Sequence, residues 1–290
     1  MRQSNKIFST ILTKIGNGIS LLPDEQILIE NRFRTDEWCL ANVNDVVRLY
    51  HRNSDVDKHN KRAICSQFEI ITDDVITGYN KNTELMTARN KLHGMSTVES
   101  GGLPYLIKVA IGSPYMITSN IDVADGLVNG AIGILKHIEQ CDKDTINGDN
   151  NDDTKYKPNQ IKLWFIFPET KIGQMARIKC KPYVLSKLRD FSDDGLKWTQ
   201  IKIRTATISL GGNVKCKRTQ FPLVPAAAIT IHKSQDATFD RIVFDYDKCQ
   251  QNQLVYVAMT RVTSLDGLYI TNSKNDFTFY HGRANTTQIG

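Results

Sequence analysis

Apolar residues recur at helical spacing near the start of the chain: Ile7, Ile11, Leu12 and Ile15 fall on one face and predict an amphipathic helix. A second helix is predicted to open at Pro23, because proline and the acids Asp24 and Glu25 suit a first turn. Val46 to Tyr50 (V-V-R-L-Y) is a β-rich run closed by His51-Arg52-Asn53-Ser54. Asn53 or Ser54 can cap a helix through Val56, His59 and Ala63. Strand, loop and helix in that order form the unit of an α/β sheet.

From about Leu103 the pattern changes to short strands separated by glycine turns, among them Y-L-I-K-V-A-I-G, S-P-Y-M-I-T-S-N, G-L-V-N-G-A-I-G-I-L and K-L-W-F-I-F. Strands this short and this close predict a small barrel or sandwich. Cys141 to Lys157, rich in Asp and Asn, reads as a long polar loop within it. The texture reverts at Phe221. Pro225 is predicted to open a helix through Ala226, Ala227, Ala228 and Ile231, followed by a strand at Arg241 to Asp245. A nearly all-apolar helix, Leu254 to Val262, and a strand, Gly267 to Thr271, complete an α/β sheet with a β insertion.

Composition narrows the class. Of 290 residues 40% are hydrophobic and 23% charged, which excludes a disordered or collagenous chain. No run approaches the roughly 18 apolar residues of a membrane span, and no secretory signal opens the chain. The first helix carries Arg2, Lys6 and Lys14 with no acid before Asp24, as mitochondrial presequences do, yet packing is the simpler use of its apolar face. The 6 cysteines are scattered without a C-x-x-C pair, which implies reduced thiols in an intracellular setting and no zinc or other metal site. Net charge is only +6, but it is unevenly spread. Lys171 to Arg218 holds twelve basic residues against Asp190, Asp193 and Asp194, while Glu139 to Asp153 holds six acids and one lysine. The basic stretch is either a solvated face or a phosphate-binding surface.

Two segments stand out chemically. Thr230-Ile231-His232-Lys233-Ser234-Gln235 gathers polar residues between the alanine-rich run and the next strand, at an element edge of the kind that binds phosphate in open α/β sheets. Lys233-Ser234 is no Walker loop, because Ala227 and His232 stand where G-x-x-x-x-G-K-[ST] has its glycines. The second is Arg261, which ends the stripe Leu254, Val257, Ala258 at helical spacing. Such a guanidinium is either a buried structural ion pair or a group aimed at a ligand anion, and spacing leaves both open.

Five ordered segments carry a resemblance. A-A-I-T-I-H-K-S-Q (Ala227 to Gln235) with T-F-D-R-I-V-F resembles motif five of the petite-integration-frequency (Pif-one) family of DNA helicases. L-V-Y-V-A-M-T-R-V-T-S-L-D-G-L-Y-I (Leu254 to Ile270) resembles its motif six, and R-L-Y-H-R-N-S-D-V-D-K-H-N (Arg48 to Asn60) its motif four. Lys108 to Gly133 is similar to the family's barrel pattern, and R-T-Q-F-P-L (Arg218 to Leu223) to its return into the sheet. The resemblance implies a RecA-like parallel sheet domain of P-loop NTPase type, without the P-loop, in two parts, residues 1–102 and 221–290. An inserted small β-barrel would occupy residues 103–220.

It further implies the C-terminal part of a 5′-to-3′ ATP-dependent DNA helicase. Arg261 would be catalytic, contacting the nucleotide together with Gln235. Asn53, Asn60, His232, Ser234 and Tyr256 would face the DNA. Single-stranded DNA and a first RecA-like domain in cis would be the partners, with no membrane. ATP and magnesium would serve the complete enzyme, and none would be bound tightly by this chain alone. Two departures qualify this: Asp236 stands where the family has glycine, and these residues include neither a Walker A loop nor an Asp-Glu pair on a strand. The rival reading is a non-enzymatic module that binds single-stranded DNA or a partner.

Overall fold

The computed structural model describes residues 6–43, 46–64, 68–141, 155–188, 190, 192–235 and 237–283. Helix α1, Lys6–Gly16, buries Phe8, Ile11, Leu12 and Ile15, so the predicted face is rotated by one position and Ile7 is left outside. Helix α2, Pro23–Glu30, opens on Pro23 as expected; the Glu25 carboxylate accepts from the Leu22 N–H at 2.8 Å and pairs with Lys14 at 2.7 Å. Helix α3, Asp36–Asn42, is capped by the Thr35 hydroxyl, which accepts from the Trp38 N–H. Strand β1, Val47–Tyr50, leads into α4, Asn53–Ala63, as the sequence predicts.

The chain then builds a second compact unit, residues 64–226. It opens with β2 (Phe68–Ile71), β3 (Asp73–Thr77) and α5 (Asn82–Gly94) and continues with β4 (Leu106–Val109), β5 (Pro114–Ile117) and β6 (Ile132–Gln140). After the predicted polar loop, whose residues 142–154 lie outside those described, come β7 (Lys155–Tyr156) and β8 (Ile161–Ile166). Helix α6 (Gln174–Lys187), a short turn α7 (Ser192–Gly195), and β9 (Thr199–Ile201), β10 (Arg204–Gly211), β11 (Val214–Gln220) and β12 (Leu223–Pro225) finish the unit. Three sheets result: β12-β5-β6-β8-β9 and β4-β2-β7 share a core that includes Ile70, Val109, Tyr115, Leu135, Phe165 and Phe221, and β10-β11-β3 packs on α5 in a second cluster. Residues 64–102, expected with the α/β sheet, are part of this unit, because β2 pairs with β4, β3 pairs with β11, and Leu92 of α5 packs on Ile208 and Cys216.

Arg218 fastens these pieces. It is fully buried, grips Asp74 of β3 through two bonds of 2.9 and 2.7 Å, and donates to the carbonyls of Leu92 and Leu103. A buried, bidentate guanidinium of this kind is a structural group. The basic stretch therefore presents less charge to solvent than its sequence suggests.

The chain returns as β13 (Ala228–Thr230), β14 (Ile242–Asp245), α8 (Asn252–Met259) and β15 (Leu268–Thr271). With β1 they form a fully parallel sheet, ordered β13-β1-β14-β15. The helix expected from Pro225 is not formed. Pro225 ends an edge strand, where a missing N–H is tolerated, and Ala228 to Thr230 is a buried strand in register with Arg48 to Tyr50. Alanine's helix propensity is outweighed by tertiary pairing.

Asn60 explains how the edge is closed. Its Nδ2 donates to the Ala228 carbonyl at 2.9 Å, and its Oδ1 accepts from the Ala228 N–H at 2.8 Å, so one side chain replaces the missing neighbouring strand. Asn60 is buried and its amide is engaged in the sheet, which corrects its expected place on a DNA-facing rim. Asn60→Ala leaves both Ala228 groups unsatisfied, and urea titration should show a loss of about 2–4 kcal/mol. A loss under about 1 kcal/mol would return Asn60 to a surface role.

Candidate functional site

Because all strands of the sheet are parallel, Thr230, Tyr50, Asp245 and Thr271 end side by side, and the connections that follow share one edge. In open α/β sheets ligands bind at this carboxyl edge. The polar segment predicted to end a helix instead leaves the end of β13 as a single tight turn, His232–Ser234. His232, Lys233 and Gln235 are exposed on it. Asn53 is exposed as the first residue of α4, at the end of the β1 loop.

Arg261 is joined to this turn. It lies just past α8, and its main chain is held by Ala258 on one side and Phe239 on the other. The guanidinium Nε donates to the Val257 carbonyl at 3.0 Å. Nη1 donates to the carbonyls of Ser234, Gln235 and Ala237 at 3.2, 2.6 and 3.3 Å, and Nη2 to the Thr260 hydroxyl at 2.9 Å. Thr260 in turn donates to Val257 at 2.8 Å. Arg261, Gln235 and Ser234 thus form one constellation, and Thr260, which orients the guanidinium, had no signal in the spacing pattern.

One further expectation changes, and one residue is placed. Ser234 is fully buried and its hydroxyl donates to the Ile231 carbonyl at 2.7 Å, so it braces the turn instead of facing solvent. Tyr256 lays its ring over Gly16 of α1, where a Cβ would approach it to 3.0 Å. It is 37% exposed there. Asp236 lies outside the described residues.

Beside the turn, the sheet carries polar groups that sequence reasoning missed. Arg48 is buried and bonded to Asp36, and its Nη2 has no partner among the described residues. The Tyr50 hydroxyl meets His59 Nδ1 at 3.3 Å. The signal was present in V-V-R-L-Y: a charged residue in an otherwise apolar parallel strand needs a partner. Burial, reinforced by Asp55, Asp36 and Asp247, pushes the Asp245 carboxyl up to about 6. Burial, with the Arg48 charge, pushes the His59 imidazole down to about 4.

These shifts have opposite consequences over one pH window. The folded chain keeps the Asp245 proton to higher pH than the unfolded chain, so that contribution to stability falls as pH rises from about 4 to about 6. Unfolded His59 is protonated first as pH falls, so its contribution rises from about pH 4 to about 6.5. Relative to the parent chain, Asp245→Asn should make stability climb more steeply with pH. His59→Gln should make it climb less, each by up to about 1.4 kcal/mol per pH unit. Urea titrations across the window check this, and identical slopes in the two variants would contradict the assignment.

No family model matches the chain. In sequence it is 25% identical over 271 residues to the ATP-dependent DNA helicase PIF1 of Candida albicans, covering 77% of this chain and 28% of that protein. The crystal structure of Pif1 helicase from Candida albicans matches with a TM-score of 0.57 and 22% identity, over 96% of this chain and 56% of that one. The Pif1 helicase from Bacteroides in complex with ADP-AlF3 and single-stranded DNA matches with a TM-score of 0.52 and 22% identity, over 93% and 50%. The chain therefore spans 28% of the length of the curated relative and about half of the solved chains. Over most of its own length it is similar in sequence to Pif1 DNA helicases, and its fold, a parallel sheet of RecA-like type, is theirs.

Proposed function

We propose that this chain supplies the C-terminal part of an ATP-dependent 5′-to-3′ DNA helicase, pairing in cis with a first RecA-like domain outside these residues. The observation that carries the reading is the Arg261 constellation, which ties the segment after α8 to the turn after β13, at a position that matches motif six. The amides of the adjoining turn bond within the fold: Ile231 to Tyr50, Ser234 to Ile231, Gln235 to His232 and Ala237 to Ser234. These four amides are therefore not free to cradle a triphosphate. What is present fits one side of a nucleotide cleft: the Arg261 guanidinium, aimed by Thr260, and the exposed Gln235 amide.

ATP with magnesium would supply the phosphoryl transfer that drives the cycle. Arg261 would set a fixed positive charge against the transferring group, an interaction stronger in the transition state than before it. Because the same guanidinium holds the carbonyls of residues 234, 235 and 237, a change at Arg261 is felt by the turn bearing His232 and Lys233. That turn, with Asn53, would meet the tracked strand.

The basic stretch supports a second contact with DNA. On the β10-β11-β3 sheet one face buries Cys216 and Arg218, while the other exposes Thr205, Thr207, Ser209, Lys215 and Lys217, with Asp73, Val75 and Thr77 of β3 along one side. Hydroxyls and ammonium groups on a flat face suit phosphate contacts without base readout.

The isolated chain should bind a labelled single-stranded oligonucleotide weakly and without sequence preference. Affinity should fall by roughly 0.7 log units per tenfold salt for each phosphate contacted. Lys215→Ala with Lys217→Ala should lower that salt slope by about 1.4. Calorimetry with ATP and magnesium should show no tight binding. Salt-insensitive DNA binding would sink the surface assignment, and tight magnesium-dependent ATP binding would overturn the one-sided cleft. The rival, a non-enzymatic strand-binding module, predicts the same DNA binding but no ATP hydrolysis when a first RecA-like domain is supplied.

A further inference from the structure

Helix α6 is anchored on one side and apolar on the other. At its start the Asp125 carboxylate accepts from the N–H groups of Met175 and Ala176 at 2.7 and 2.9 Å. Gly173, with φ of 74°, allows the close approach, since a Cβ there would stand 2.4 Å from Thr199. Val184 and Leu188 pack on Trp164 and Trp198. The Tyr183 hydroxyl donates to Glu139, which also accepts from Lys162 and Trp164. Arg177 donates to the Thr199 hydroxyl at 2.9 Å. The helix is therefore rigidly seated.

Its outward side carries Met175, Ile178, Pro182 and Leu185, spaced by three, four and three positions. At roughly 100° per residue they share an arc of about 80°, opposite the buried face. Met175 is 51% exposed, Ile178 58% and Leu185 49%, with Pro182 exposed between them. Single exposed apolar residues are ordinary; a row of four on a fixed helix marks a contact surface. Exposed Lys179 flanks the row on one side and exposed Lys181 on the other, and no acid occurs from Lys171 to Leu188.

We infer that this face of α6 docks an amphipathic helix of a partner protein whose apolar stripe is bordered by acidic residues. Charge complementarity chooses the occupant. A second copy of α6 would set lysine against lysine. A nucleic-acid strand would set its hydrated phosphates against Met175, Ile178 and Leu185, whereas the hydroxyl-and-lysine face of β10 and β11 has no such row. The surface belongs wholly to the second compact unit, and the inference does not rest on the helicase reading.

The probe is a labelled synthetic helical peptide of about fourteen residues with a leucine stripe bordered by glutamates, compared with the same peptide bordered by lysines. Anisotropy titration of the full chain should show saturable binding of the glutamate peptide only. Ile178→Ser with Leu185→Ser, both at exposed positions, should weaken it at least about tenfold while the thermal melt is unchanged. Lys179→Glu with Lys181→Glu should transfer the preference to the lysine peptide. Absence of saturable binding, equal binding of both peptides, or no transfer of preference would overturn the inference. So would a serine variant that loses binding to a single-stranded oligonucleotide or to anionic phosphatidylserine vesicles while peptide binding persists.

Discussion

The parallel pairing of β1 with β13 and β14 is the constraint on which the other features of the α/β unit rest. Residues 64–226 intervene between α4 and the return strand, yet Ala228 must land beside Arg48, in register. Among the described residues no further strand satisfies the backbone at that edge, and Asn60, from the helix just before the insertion, provides both hydrogen bonds. A residue from one side of the insertion thereby closes the sheet formed with the other. Once β13 is placed, the turn after it is placed too. His232, Lys233 and Gln235 then stand at the carboxyl edge without any motif-specific backbone geometry.

Arg261 converts that placement into possible chemistry. Its guanidinium reaches three carbonyls of the turn from the far end of α8, with Thr260 holding its second nitrogen. Where spacing allowed a structural ion pair, the structure shows a tie to backbone carbonyls instead. The side chain is a structural tie between two loops, and the role toward a nucleotide is the one proposed for it above. A tie made of carbonyl bonds can be exchanged for bonds to an anion more readily than a buried carboxylate pair can, because leaving it strands no opposite charge.

Much of the α/β unit was legible. V-V-R-L-Y, R-I-V-F-D and G-L-Y-I-T are strands because buried parallel strands need short apolar runs, and α8 follows from its apolar periodicity. Ala226 to Ala228 misled because alanine favours a helix only when no sheet position claims it. Helix α6 was invisible for a different reason. Its apolar residues lie on two opposite faces, and the amphipathic signal cancels. Within the candidate site, Gln235, His232 and Asn53 sit at or beside the carboxyl edge, and Arg261 reaches the turn from the segment before β15. Ser234 and Asn60 share polar side chains with the others, but only their hydrogen-bond partners reveal that they brace the backbone. Arg218 shows the same limit for charge, since composition cannot tell a buried bidentate arginine from an exposed one.

The most direct test of the account joins this chain to the first RecA-like domain of a Pif1 relative and measures ATP hydrolysis with single-stranded DNA present. Hydrolysis should appear in the joined protein, and Arg261→Ala should reduce it by about 10³-fold or more, with nucleotide binding little changed and the fold intact by circular dichroism. Hydrolysis that survives Arg261→Ala within a few-fold, in a protein that remains folded, would leave Arg261 as a structural tie alone and contradict the account.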